Sequence, residues 1–196
     1  MDVVGGRLSS FEFVTVLVAV IVGLGISHLL LGLGRAIHDR KTVSIWWVQV
    51  LWTVAVFQYL SLFWWNLYYT NTGSSWTQLE YLFLLTHAAL PFFAAVLLYR
   101  PGAGGAVDMK ATFETNRKWL LGVWALNMIA DVPTTALQGN LFSPWYYLPI
   151  IGFLFILTLI GIFTASPRYQ GFLATFFVLF GFVWPIIVRG VLPTAA

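Results

Sequence analysis

The chain has 196 residues, of which 60% are hydrophobic and only 9% are charged, against about 25% charged residues in soluble domains. The apolar residues come in long runs, so residues 1–196 read as a single integral membrane domain, all-α, with no length left for a separate soluble domain. There is no cysteine, which excludes disulfides, thiolate metal sites and cysteine nucleophiles. The formal charge of +3 is not a nucleic-acid signal, because the basic residues sit in short loops between apolar runs.

Taken in order, the apolar segments are Phe11–Gly34, Ser44–Tyr69, Trp76–Tyr99, Trp119–Gln138, Trp145–Thr164 and Phe172–Val188. Each is near the ~20 residues that cross ~30 Å of hydrocarbon, and the last is the shortest. The first is too long for a signal-peptide core and lacks a basic start with a small-residue cleavage site, so it is expected to be a retained helix. Within it, Gly23, Ser27 and Gly34 share one helical face, and Gly25 and Gly32 share the opposite one. Small residues let membrane helices approach closely, so two such faces predict a first helix packed on both sides and central. Each odd-numbered segment opens with a serine and an aromatic: Ser10-Phe11, Ser75-Trp76, and Ser143 before Trp145. Helix capping and interface chemistry suffice to produce that pattern. The stretch from Arg100 to Lys118 begins with flexible turn chemistry and is expected to be a connector.

Charge sets the expected orientation. Arg35, Arg40, Lys41, Arg100, Lys110, Arg117, Lys118 and Arg168 fall on one side, and only Arg7 and Arg189 on the other. The bias predicts a six-transmembrane-helix bundle with both termini non-cytoplasmic. Trp46 and Trp47 would mark its inner boundary, and Trp64 and Trp65 its outer one.

Several short motifs carry a resemblance: Phe11-Glu12-Phe13, the run from Gly23 to Leu30, Phe63-Trp64-Trp65 and Asn116-Arg117-Lys118-Trp119. Through them the chain resembles an uncharacterised family of small bacterial multi-pass inner-membrane proteins. The resemblance implies a bacterial inner membrane and transfers no activity and no site.

Polar residues inside membrane spans are costly and mark candidate sites. Helical stripes are formed by Glu12, Ala19, Gly23 and Ser27 in the first segment, by Gln58, Ser61 and Asn66 in the second, by Glu80, His87 and Pro91 in the third, and by Asn127, Asp131, Thr135 and Gln138 in the fourth. At about 1.5 Å per residue, His87 and Asp131 each lie roughly 20 Å from the nearest inner basic residue, and Gln58 roughly 25 Å. These three are expected to share a layer, with His87 and Asp131 facing one another. Glu12, Glu80 and Asn66 would form an acidic rim above, with Asn127 nearby. Pro91 and Pro133 leave the carbonyls of His87 and Ile129 without their helix donors, a device of broken transporter helices. The same polar residues serve equally as interhelical contacts, worth ~0.6 kcal/mol each.

Other chemistry is weakly represented. His28 lies only about 10 Å above Arg35, so His28 and His87 do not match in depth as axial ligands of one haem, and no cofactor or metal is expected. No zinc-hydrolase, serine-hydrolase or phosphate-loop motif is present. The expected function is binding or translocation of a small solute or proton through an outward-facing polar cavity. The alternative is a non-catalytic structural or accessory subunit, with a membrane-protein partner or a second copy of the chain.

Overall fold

The computed structural model describes residues 10–67, 77–99, 108–137 and 144–188, with side chains over 14–67, 77–99, 108–136 and 144–187. Among these residues the fold is all helical: α1 (Ser10–His38), α2 (Trp47–Leu67), α3 (Gln78–Leu98), α4 (Met109–Leu137), α5 (Tyr147–Phe163) and α6 (Pro167–Val188). The helix ends follow local chemistry. Thr77 caps α3 in a reciprocal box: its hydroxyl accepts from the Glu80 N–H, and the Glu80 carboxylate accepts from the Thr77 N–H at 2.8 Å. Asp108 caps α4 by accepting from the N–H groups of Lys110 and Ala111 at 2.9 and 3.3 Å. Pro167 opens α6 at the one helical position where its missing N–H costs nothing.

Three helices depart from the expected bounds. α1 runs on to His38. α4 is one helix of 29 residues, so the latter part of the expected connector is its first third. Burial explains the extension: Met109, Thr112 and Phe113 face the core, and the Phe113 ring meets Trp46 edge-on at 5.1 Å. α6 begins at Pro167 and has 22 residues, so α5, at 17, is the shortest helix rather than the last one.

The centre of the bundle is α2, not α1. α2 packs against α1, α3 and α6 and touches α4, whereas α1 packs on α3 and α2. Only one of the two small-residue faces of α1 is used. A Cβ at Gly25 would meet Leu60 of α2 at 3.0 Å, and one at Gly32 would run into the Tyr99 ring. Gly23 and Gly34 have nothing within 4 Å of a built Cβ, and Ser27 is exposed. The expectation of a central α1 therefore fails, because small residues permit close approach without requiring it.

The C-terminus of α3 is clasped by three other helices. The Gln49 amide of α2 donates to the Leu98 carbonyl, Asn116 of α4 donates to Leu97 at 2.9 Å, and the His28 ring of α1 lies 3.3 Å from the Tyr99 carbonyl. The Tyr99 hydroxyl is itself 2.9 Å from that of Thr53. Carbonyls of a last helical turn have no partner within their own helix, and here three side chains from elsewhere in the sequence meet them. The same pole carries Arg35, Lys110, Arg117 and Arg168, near the end where α1 stops and α4 and α6 begin. Met109 N–H to Ser44 O at 3.2 Å adds a backbone link between the start of α4 and the segment before α2.

Candidate functional site

The opposite half of the bundle holds a cavity of about 430 Å³ between α2, α4, α5 and α6, with α3 contributing His87 and Leu84. Trp124 and Phe177 form its floor, packed edge to face at 5.7 Å, with Trp52 beneath them at 5.8 and 5.5 Å. Its walls rise to Asn66 near the end of α2, Tyr146 just before α5 and Pro185 near the end of α6. The cavity thus runs away from the basic pole, toward the pole where α2 and α6 end and α5 begins.

His87 is 1% exposed and lies on the cavity wall, held in a defined orientation. The Thr134 hydroxyl gives its single proton to the Ala130 carbonyl at 3.0 Å. It must then accept from His87 Nδ1, 2.7 Å away, which leaves Nε2 of the neutral ring to accept from the Tyr59 hydroxyl at 3.4 Å. Phe63 meets the imidazole edge-on at 5.0 Å. Asp131 belongs to a second chain of bonds. Thr135 donates to the Tyr147 hydroxyl at 2.9 Å, and Tyr147 donates to an Asp131 carboxylate oxygen at 2.7 Å. His87 and Asp131 therefore line one cavity, but the bonds that orient them run to Thr134 and Tyr59 and to Tyr147. Tyr59, whose hydroxyl is 3.4 Å from His87 Nε2, lines the same cavity as Asn127 and Asp131.

Two amides complete the wall. Asn127 is 1% exposed, and its carbonyl oxygen has no hydrogen-bond partner. Both polar atoms of Gln58 are equally without partners. Gln58 lies against Gly181 of α6, where a built Cβ would come within 2.9 Å of its amide oxygen, so a larger residue there would require the Gln58 side chain to shift.

Of the residues singled out by sequence, Gln58, Asn66, His87, Asn127 and Asp131 all line this cavity. Glu80 does not. Its carboxylate is spent on the Thr77 N–H and hydroxyl, both at 2.8 Å, and it closes the first turn of α3. Glu12 and Gln138 lie outside the residues whose side chains are described, so of the expected rim of Glu12, Glu80 and Asn66 only Asn66 is found on the cavity wall. Sequence reasoning passed over Tyr59, Thr134, Tyr147, Trp124 and Gly181. Aromatic and threonine residues in an apolar helix look like core or lipid contacts, and only the packing of helices far apart in sequence turns them inward.

Among the described residues, four helices are long and apolar enough to cross a membrane: α1 over Val14–His38, α2, α3, and α6 over Pro167–Ile187. Large apolar side chains such as Leu31, Phe153, Leu179 and Ile186 face outward, and Trp119 and Trp145 are exposed at opposite poles. These features define a helical integral membrane protein with a polar cavity in one half of its bundle. No protein-family model, curated protein or solved structure matches the chain.

Proposed function

We propose that this is a six-span bacterial inner-membrane protein, with both termini non-cytoplasmic, that binds or translocates a small solute or proton through an outward-facing cavity. α5 and α4 are the two spans added to the four apolar ones. At about 1.5 Å per residue, the 17 residues of α5 cover about 26 Å, which a modest local thinning of the bilayer accommodates. α4 keeps its basic residues in its first third, beside the other basic residues of the clasped pole. The positive-inside bias supports a cytoplasmic position for that pole and hence an outward-facing cavity. The observation that carries the reading is the Gln58 amide and the Asn127 amide oxygen, buried in a cavity wall without a hydrogen-bond partner. A buried polar group without a partner is costly, so its retention favours a ligand or water that meets it.

The native chain has no cysteine, so single cysteines report cleanly. Asn127→Cys should react with a small, impermeant thiol reagent added to intact cells, and Leu121→Cys, in the dry core, should not. A folded Asn127→Cys protein that stays unlabelled would refute the outward-facing cavity.

One observation favours the accessory-subunit reading. Gly23, Ser27 and Gly34 leave an open, small-residue face on α1, suited to close approach by a helix of a partner or of a second copy. Proximity cross-linking through Gly23→Cys would report it.

A further inference from the structure

The cavity wall engages its ionisable groups within the fold and leaves neutral ones unmet. His87 Nδ1 donates to Thr134 and its Nε2 faces the Tyr59 hydroxyl, while Asp131 accepts from Tyr147 at 2.7 Å. Four buried polar atoms of lining residues have no hydrogen-bond partner: Gln58 Nε2 and Oε1, Trp124 Nε1 and Asn127 Oδ1. Two are donors, two are acceptors, and none belongs to a charged group. Asn127 and Trp124 are 1% and 4% exposed, so bulk water does not stand in for a partner. Gln58 differs from the glutamines at the other pole. Gln49 donates to the Leu98 carbonyl, and Gln170 donates to those of Gly161 and Thr164, so each ties helices together. Gln58 ties nothing, because donor and acceptor of the one amide are both left over. Such an amide edge can meet an adjacent donor and acceptor with two parallel bonds, as glutamine meets the edge of a nucleic-acid base.

A charge of either sign answers only half of these groups. A cation leaves the donors unmet, an anion leaves the acceptors unmet, and a hydrocarbon leaves all four. A neutral solute with a donor and an acceptor side by side suits both kinds. The rest of the lining suits a flat apolar body. Tyr59 and Trp124 meet at 66° with ring centroids 5.2 Å apart, and Phe180 and Trp184 stack at 26° and 5.3 Å. The volume of about 430 Å³ falls within the about 300–1,000 Å³ usual for small-molecule pockets. We propose that the cavity binds a small, flat, uncharged solute bearing an amide edge, an aryl carboxamide or a lactam, paired edge to edge with Gln58. This inference rests on the cavity being a ligand site.

The test uses the full chain in detergent and reads heats of titration against empty micelles. The probes are benzamide, a primary carboxamide, and 2-pyridone, a lactam. Acetophenone and N-methyl-2-pyridone are their counterparts without the donor. Benzoate and benzamidinium are the anionic and cationic isosteres of benzamide. At least one of the two amides should bind saturably, and its donor-free counterpart should bind at least about tenfold more weakly. For benzamide the two charged isosteres should also be at least about tenfold weaker. Gln58→Leu should weaken the amide by at least about tenfold and leave the donor-free counterpart unchanged. If Gln58→Leu fails to fold, the comparison of each amide with its counterpart on the native chain decides alone. Equal binding of the donor-free counterpart, tighter binding of a charged isostere, or full amide affinity in a folded Gln58→Leu protein overturns the inference. So does the absence of saturable binding by either amide while Asn127→Cys still labels from outside, an outcome that leaves the cavity standing. No binding by any probe together with an unreactive Asn127→Cys removes both.

Discussion

Replacing Gly32 by alanine adds one carbon to a helix, an exchange that helix propensity alone favours by about 1 kcal/mol. The structure predicts the opposite sign. The new Cβ would sit 2.6 and 2.7 Å from the two Cδ atoms of the Tyr99 ring, far inside van der Waals contact. The collision is with the root of the ring, and its hydroxyl is held 2.9 Å from Thr53, so the side chain cannot swing clear without breaking that bond. Overpacking of this kind costs about 1–3 kcal/mol. At about 2–4 °C per kcal/mol for a chain of this size, the apparent melting temperature in detergent should fall by about 2–12 °C. Gly34→Ala and Gly23→Ala meet nothing within 4 Å and should melt at or above the native temperature. A double variant separates the cause: in a Tyr99→Ala background, Gly32→Ala should cost little. Native stability for Gly32→Ala, or an equal loss for Gly34→Ala, would refute the one-sided packing of α1.

Three further expectations follow from the same structure. Thr77→Ala should lower stability by about 0.5–2 kcal/mol and raise amide exchange in the first turn of α3, whereas Thr77→Ser should be nearly neutral. Gln49→Met keeps the length but leaves the buried Leu98 carbonyl unmet, and should cost about 1–3 kcal/mol in thermal or denaturant unfolding. For topology, cysteines at Gly5 and Thr72 should react with an impermeant reagent added outside, and one at Gly104 should be protected until the membrane is opened. The reverse pattern would invert the orientation.

The number of helices and their approximate centres were legible because a run of about 20 apolar residues has few alternatives. Their ends were less so. The start of α4 was hidden because Lys110, Glu114, Arg117 and Lys118 make it look like a loop, while Met109 and Phe113, the residues that bury it, are few. The Thr77-x-x-Glu80 cap was readable as a capping box, but a carboxylate near a membrane boundary drew attention as a site instead. Depth arithmetic brought Gln58, His87 and Asp131 to one cavity because rise per residue is a stiff quantity. It could not say which side chains touch. Rotation about each helix axis decides that, and so His87 found Thr134 rather than Asp131. Likewise, the sequence offered α1 two equivalent small faces, and only the ring of Tyr99, 67 positions after Gly32, distinguishes them.

The clasp on α3 has a consequence for biogenesis. As the chain is made, α1 and α2 are already available to supply His28 and Gln49 when α3 emerges, but Asn116 belongs to a helix not yet synthesised. The Leu97 carbonyl therefore waits for α4, and the third helix is finished by the fourth. Insertion of the first three helices and closure of the basic pole are then separate events, and a nascent chain arrested before residue 116 should expose that pole to a protease which the complete protein resists.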